Sequence, residues 1–432
     1  MAYLCQPTVF YSLSVTRSIH YWHWQRSCWN PSEAAVVTLT HMLIIVILAQ
    51  MGTNGAKLLL ALFAIDLGAS PLQVGITFAM FSILPAILAI SAGRWVDRIG
   101  VRLPLLIGCG GMAMAIASVF LTPALWALYL CAALIGLSFM VYVVAGQSIV
   151  GSMGANSDRT RNFSYYALAV AFASVIGRAG TGVSIDLLGH RSTALLLAIG
   201  PLLALAIAWW LPSRNLPAKA TSERIVRTST YELWKIPALR RALIAAAIVE
   251  SGNELFALFI PLYGSYLGFS ATFIGTLLAT FSAATFVVRM ALPRLVARFG
   301  EETVLSFALG CAALVGVLTI ATTQPWVLLV LTAAFGFSMG CGMPLSMALT
   351  YARAPEGRAA EAIGMRQTVN KSIEVTVPVC FGALAVVAGL APLAVALGTV
   401  LAVGAVVIGR DARRLSQPRS TDAPQDSPTK AP

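Results

Sequence analysis

The chain has 432 residues and a formal net charge of +12; 58% of its residues are hydrophobic and 11% are charged. Soluble domains carry about 25% charged residues, so this composition excludes an ordinary soluble protein and indicates an integral membrane protein. The long apolar runs do not alternate with polar residues, which excludes a transmembrane β-barrel and predicts an all-α membrane protein.

Twelve apolar runs are long enough to cross a bilayer. A spanning helix needs roughly 20 apolar residues, because the hydrocarbon core is about 30 Å thick and each helical residue rises about 1.5 Å. Charge clusters and Gly, Pro and Ser turns separate the runs, which predict helices at 36–64, 72–92, 103–121, 124–149, 162–185, 192–211, 241–266, 270–291, 303–322, 326–350, 360–386 and 391–409.

Three polar segments flank or divide these helices. Residues 1–35 form a tail rich in Trp, His and Tyr, which could bind the membrane surface but which we expect to be poorly ordered. Residues 212–240 divide the chain into two six-helix bundles, 36–211 and 241–409. The proline-rich segment 410–432 is predicted to be a disordered tail.

The Lys and Arg residues lie mainly on one side of the membrane. The segments on the side of the N-terminus contain most of the 29 Lys and Arg residues, whereas the opposite connections contain only Arg191. By the positive-inside rule, both termini are predicted in the cytoplasm and the chain in the plasma (inner) membrane. The basic balance reflects topology, so we expect no nucleic-acid partner.

Residue types that bind metals and cofactors form no cluster in this sequence. The seven cysteines lie mainly in apolar runs without a CxxC pair, and there are only four histidines. No GxxxxGK[ST] nucleotide loop is present. We therefore expect no metal, no cofactor and no enzymatic activity.

The two bundles repeat each other at an offset of 200 residues. The aligned pairs are LGASPLQVG at 67–75 with LGFSATFIG at 267–275, Phe81-Ser82 with Phe281-Ser282, GRWVDRIG at 93–100 with PRLVARFG at 293–300, Gly136 with Gly336, and Gly182 with Gly382. Duplication in the same orientation predicts a pseudo-two-fold axis along the membrane normal, about which the halves can rock.

The segment between the second and third predicted helices resembles a motif of the major facilitator superfamily. GRWVDRIGVR matches Gly-x-x-x-Asp-Arg-x-Gly-x-Arg/Lys at Gly93, Asp97, Arg98, Gly100 and Arg102. Together with the helix count and the repeat, this resemblance covers about residues 35–410 and implies the superfamily fold of two six-helix repeats. It also implies that Asp97 caps the N-terminus of the eleventh helix, and that Arg98 and Arg102 pair across a cytoplasmic gate.

Three positions depart from the superfamily pattern. Ala297 stands in the second repeat where Asp97 stands in the first, and Gly177-Arg178 replaces the Gly-Pro signature of antiporters in the fifth helix. Ala132 occupies the place of an arginine found in the fourth helix of many proton antiporters. These departures weaken the implication of drug/proton antiport.

Acidic and amide side chains interrupt the first and seventh helices at equivalent positions. Glu250 and Glu254 lie one turn apart and align with Gln50 and Asn54, which share a helix face with Lys57. The resemblance places both faces on a central substrate path. Since a charge at the bilayer centre is costly, we expect one glutamate to be the proton carrier, with Lys57 as the nearest counter-ion. The alternative is a purely structural ion pair.

Six further polar residues are candidates for the substrate cavity. Arg178 lies deep in its helix and is predicted either to hold a substrate anion or, slightly favoured, to pair with a glutamate. Lys371 and Glu374 could satisfy each other at i, i+3. The candidates are Gln147, Arg178, Asn253, Asn370, Lys371 and Glu374.

These features predict a secondary active transporter that moves a small solute by alternating access. Proton-coupled efflux of an amphiphilic compound is the leading interpretation, and organic-anion uptake or exchange is the alternative. A membrane receptor or scaffold that does not transport is the candidate from another class. The expected partners are the small-molecule substrate, protons and the lipid bilayer, and we expect a monomer.

Overall fold

The computed structural model describes residues 31–152, 156–211, 233–355 and 358–416, and within these ranges the regular structure is helical, without a strand. The predicted all-α membrane architecture is therefore confirmed. The helices are α1 Pro31–Asp66, α2 Pro71–Ile99, α3 Arg102–Ser118, α4 Leu125–Ser152, α5 and α6 within Asn156–Trp210, α7 Pro237–Tyr266, α8 Ala271–Phe299, α9 Glu301–Leu318, α10 Pro325–Ala352, α11 Ala359–Ala388 and α12 Leu390–Ser416.

The segment Asn156–Trp210 contains two antiparallel helices joined at Gly189. Gly189 has φ 77° and ψ 167°, which interrupts the helix and defines α5 as 156–188 and α6 as 190–210. The parts of the segment before and after Gly189 both pack against Gly55 of α1. A Cβ on Gly55 would lie 2.4 Å from Thr181 Oγ1 and 2.7 Å from Leu197 Cδ2. The chain therefore turns back at Gly189.

Ten helices of the described chain are long and apolar enough to cross a membrane. One of them, Ser164–Trp210, has 47 residues and is the segment that turns back at Gly189. Arg102–Ser118 is a shorter apolar helix. The turn at Gly189 and this shorter helix lie where the two remaining spans are predicted, and the total of twelve spans stays a prediction.

Several segments are more helical than the sequence suggested, among them residues 31–35, which begin α1, and residues 292–299, which end α8. Two further segments show the physical reason. Residues 93–99, which we expected in a loop, form the last turns of α2, and the helix ends only where Gly100 adopts φ +90°. Residues 410–416, which we expected to be disordered, continue α12. In both cases charged residues mark the bilayer boundary, but no Gly or Pro ends the helix there.

Residues 1–30, most of the 212–240 connection and residues 417–432 lie outside the described chain.

The two halves of the molecule contact each other along two seams that follow the sequence repeat. A Cβ on Gly182 of α5 would lie 2.3 Å from the carbonyl oxygen of Ala271 in α8, and a Cβ on Gly382 of α11 would lie 2.7 Å from that of Pro71 in α2. Each contact maps onto the other at the offset of 200 residues. The repeat seen in the sequence is therefore a repeat of backbone packing.

A second pair of glycines strengthens the same symmetry. A Cβ on Gly75 would lie 2.2 Å from the carbonyl oxygen of Pro378, and one on Gly275 would lie 2.6 Å from that of Arg178. We call these contacts the α2–α11 seam and the α5–α8 seam. Both seams need glycine because backbone approaches backbone without room for a side chain.

Apolar packing joins the halves toward one end of the bundle, which we call the distal end; the proximal end holds the first residues of α1 and the last of α12. The largest hydrophobic cluster combines Phe63 and Val74 of the first half with Phe259 and Leu277 of the second. The proximal part of the first half packs in a cluster of its own, with Met42 and Leu105 among its members, and this cluster contains no residue of the second half. The distal end is closed in this structure.

Candidate functional site

An ion pair joins the two halves in the middle of the bundle. Lys57 Nζ of α1 donates to Glu254 of α7, at 3.1 Å from Oε1 and 3.4 Å from Oε2. The side chains are 27% and 11% exposed, so water screens the pair only weakly. The ammonium also lies 5.7 Å from the ring centroid of Phe78 and 5.9 Å from that of Phe81, within range of cation–π attraction.

The amide side chains of α1 lie beside this pair. Asn54 Nδ2 donates to the backbone carbonyl of Gln50 at 3.0 Å and to Ser174 Oγ of α5 at 3.1 Å. Gln50 and Glu254 are both buried, whereas Lys57 and Asn54 are partly exposed. The polar face predicted on α1 therefore points into the bundle.

Arg178 occupies the α5–α8 seam and contacts neutral groups. Its Nη1 donates to Ser282 Oγ at 2.6 Å and to the carbonyl oxygen of Leu278 at 3.4 Å, and the guanidinium carbon lies 5.9 Å from the ring of Phe281. The described ion pairs do not include Arg178 with a glutamate, which the sequence slightly favoured, although Glu254 lies near enough to interact with its charge. The repeat explains the difference, because Arg178 aligns with Pro378 and so lies at the seam.

Glu250 has an amide partner where its neighbour Glu254 has a cation. Asn370 Nδ2 of α11 donates to Glu250 Oε2 at 3.1 Å, and Asn370 is buried. Arg366, one turn before Asn370, is also buried and donates to Ser346 Oγ of α10 at 3.1 Å. Among the described contacts, no cation lies within ion-pair distance of Glu250.

The third intramembrane carboxylate is Glu374 of α11. Lys371 Nζ lies 2.7 Å from each of its oxygens, as the i, i+3 spacing suggested. Ser82 Oγ of α2 donates to the same carboxylate across the α2–α11 seam. Ser82 and Ser282 are equivalent in the repeat, and each serine bonds to a charged residue of the opposite half.

The remaining predicted residues are distributed over the bundle. Gln147 of α4 is exposed and its side chain bonds to Tyr166, while Asn253 of α7 is half-buried. In the predicted gating segment, Arg102 donates to the backbone carbonyl of Trp209 at 2.9 Å, within its own half. The side chains of Gly93, Asp97 and Arg98 lie outside the described structure. Gly100 provides the left-handed turn between α2 and α3.

Sequence reasoning did not assign a role to three serines of this site. Ser82, Ser174 and Ser282 bind Glu374, Asn54 and Arg178, respectively. The repeated Phe-Ser dipeptide could have drawn attention to Ser82 and Ser282. For Ser174, the available signal was its alignment with the candidate Glu374 at the offset of 200 residues, although its partner depends on how α5 rotates against α1.

The charges of this site do not balance. Lys57, Arg178, Arg366 and Lys371 face Glu250, Glu254 and Glu374. Two of the carboxylates, Glu254 and Glu374, are each paired with a lysine, whereas Glu250 accepts from the amide of Asn370. A small cavity of about 20 Å³ remains between the halves, lined by Asn54, Lys57 and Arg178.

Within the described residues, no three His, Cys, Asp or Glu side chains are placed to share a metal ion.

Comparison with protein families gives a match over most of the chain. The family model described as Major Facilitator Superfamily matches residues 42–373. A tetracycline resistance protein, class D, of Salmonella ordonez is 31% identical over 116 residues, which are 27% of this chain and 29% of that protein. The match therefore spans less than a third of that relative.

Solved structures share the fold at low sequence identity. A POT family transporter in complex with 5-aminolevulinic acid superposes with a TM-score of 0.74 at 14% identity, covering 88% of this chain and 97% of the other. The nucleoside transporter NupG gives a TM-score of 0.70 at 14% identity, covering 86% of this chain and 98% of the other. A bacterial homolog of the human lysosomal transporter Spinster also gives 0.70 at 14% identity, covering 88% and 97%.

Proposed function

The chain belongs to the major facilitator superfamily of membrane transporters, and from that premise we propose that it is a proton-coupled exporter of an amphiphilic solute. The observation that supports coupling is the Lys57–Glu254 ion pair, which joins α1 of one half to α7 of the other. Any rocking of the halves that opens the distal end must separate these two groups. Their protonation and their separation are therefore linked.

In this proposal, a proton and Lys57 bind the carboxylate of Glu254 in turn. While the distal end is closed, Glu254 accepts from Lys57 and needs no proton. When the halves part, an unpaired carboxylate near mid-membrane costs several kcal/mol, so Glu254 takes up a proton from the distal side. Closure brings Lys57 back, and the proton leaves on the proximal side. One proton moves inward in each cycle, against outward movement of the solute.

Glu250 serves in this proposal as the neighbouring proton store. It lies one helical turn from Glu254, and its described partner is the amide of Asn370. Two carboxylates this close repel each other when both are charged, so a proton on Glu250 lowers the cost of keeping Glu254 charged. The pair can therefore hold one proton in either arrangement.

The proposed direction of transport rests on one comparison and on one prediction. The short match to a tetracycline resistance protein favours export over uptake. The predicted topology places the distal end outside the cell, where protons are abundant when the membrane is energised. Inward proton flow would then drive export.

The experiment uses purified protein in liposomes that contain a trapped pH dye. Tetracycline, cationic amphiphiles and organic anions are added in turn, and proton movement is recorded for the wild-type protein and for Glu254→Gln. The matched control is Glu301→Gln, a carboxylate in the first turn of α9. We expect solute-dependent proton movement in the wild type and the control but not in Glu254→Gln. Equal proton movement in all three would refute the coupling.

Organic-anion exchange is the second candidate, and Arg178 favours it. Its guanidinium is bound by a serine hydroxyl and a backbone carbonyl, and it shares a small cavity with Lys57. A substrate carboxylate or phosphate would supply the missing negative charge. Binding measured by calorimetry should weaken at least tenfold for an organic anion in Arg178→Gln, while Arg289→Gln should bind normally. Unchanged affinity in Arg178→Gln would exclude this function.

A further inference from the structure

A carboxylate of one half binds the start of a helix in the other half at the distal end. Asp186 of α5 accepts from the backbone N–H of Ala271 at 3.1 Å and from that of Thr272 at 2.7 Å, the first two residues of α8. The hydroxyls of Thr272 and Ser270 also bond to it. An acidic group at a helix N-terminus is stabilised both by the free amides and by the helix dipole.

The equivalent position across the pseudo-two-fold axis has no such group. Val386 stands where the repeat would place a second aspartate, and α2 is capped by its own residues. There, Ser70 and Gln73 exchange bonds, with Ser70 N donating to Gln73 Oε1 at 2.8 Å and Gln73 N to Ser70 Oγ at 3.4 Å. The backbone seams are symmetric, but only the α5–α8 seam carries a charged bond between the halves at this level of the described structure.

We propose that Asp186 is a distal latch, a positioning residue that holds the α5–α8 seam closed and sets how often the distal end opens. Opening separates α5 from the start of α8, so all four of these bonds must break before a solute can pass. Asp186 is exposed, and water and salt therefore weaken the latch without removing it. The latch depends on the fold and on no particular solute or coupling ion.

The test is a distance measurement across the distal face. Spin labels are attached through genetically encoded ketone side chains at positions 123 and 323, two exposed loop residues of opposite halves, so that the native cysteines stay in place. Pulsed electron paramagnetic resonance then gives the ratio of distal-open to distal-closed molecules in lipid nanodiscs. The variant is Asp186→Asn. The matched control is Asp66→Asn, which removes a distal aspartate whose described partner, His190, belongs to the same half.

The latch predicts that Asp186→Asn raises the open fraction about two- to fivefold, the range expected for a lost exposed charge at a helix start, and that high salt reduces this difference. Asp66→Asn should match the wild type. If Asp186→Asn yields too little folded protein, Val386→Asp gives the reciprocal test, because a second carboxylate facing Leu72 should lower the open fraction. An unchanged distance distribution in Asp186→Asn, or in Val386→Asp where that variant replaces it, would overturn the proposal. Since no solute is present, this result is independent of the proton-coupling test.

Discussion

Adding one methyl group to the α5–α8 seam should open the distal end. In Gly182→Ala, the new Cβ would lie 2.3 Å from the carbonyl oxygen of Ala271, whereas ordinary contacts begin near 3.4 Å, so the helices must part by about 1 Å. Overpacking of this kind costs about 1–3 kcal/mol, and every 1.4 kcal/mol changes an equilibrium tenfold. The cost falls on the closed state alone, so the distal-open fraction should rise about 5- to 150-fold.

The control is a glycine two residues earlier in the same helix. A Cβ on Gly180 meets no atom within 4 Å, so Gly180→Ala gains the helix preference of alanine, roughly 0.5–1 kcal/mol, without the clash. Both variants are measured with the labels at positions 123 and 323 and by thermal unfolding. Identical distance distributions for the two variants would show that the seam does not limit distal opening. The reasoning from backbone contact would then be wrong.

Three further predictions concern stability: one tests packing within a half, one the ion pair between the halves, and one an ion pair within a half. Gly136→Ala should destabilise the protein by about 3 kcal/mol or more, seen as a lower thermal unfolding temperature, because its Cβ would lie 1.8 Å from a backbone oxygen of α2 in the same half. Gly146→Ala should unfold like the wild type, because a Cβ there has its nearest neighbour 3.8 Å away. Lys57→Met and Glu254→Leu should each destabilise the protein by about 3 kcal/mol, because each leaves a buried charge without its partner. The double variant should be destabilised by less than either single variant, as a double-mutant cycle of unfolding would show. Additive losses would mean that the pair does not interact. Glu302→Gln, which breaks an ion pair with an arginine of the same half, should lower stability by about 1 kcal/mol and leave solute-dependent proton movement intact.

The sequence predicted the helices well because the bilayer imposes a strong length and polarity requirement on each of them. Ten of the described helices satisfy it. The errors lie at the proximal ends, where α2 runs to Ile99 and α12 to Ser416, because charge marks the edge of the bilayer and not the end of a helix. Helix ends depend on a breaker such as Gly100, whose positive φ could not be recognised from charge alone.

The candidate site was only partly predictable, since side-chain partners depend on helix rotation. The repeat and the helical period placed Gln50, Asn54 and Lys57 on one face. They could not decide whether Lys57 would meet Glu250 or Glu254, which differ by one turn, about 5.4 Å. In the structure, Lys57 binds Glu254. The partner of Arg178 was missed because the role of the aligned proline at a seam becomes visible only in three dimensions.

The paired glycine contacts also bear on what the two repeats have in common. Gly182 and Gly382 each meet the first residues of a helix in the opposite half, at positions that correspond by 200 residues. Val386, Pro378 and Ser174 stand where the repeat places Asp186, Arg178 and Glu374, respectively. The repeats therefore share the backbone packing of the seams and differ in the charges beside them, so the two halves of this transporter are alike in shape and unlike in electrostatics.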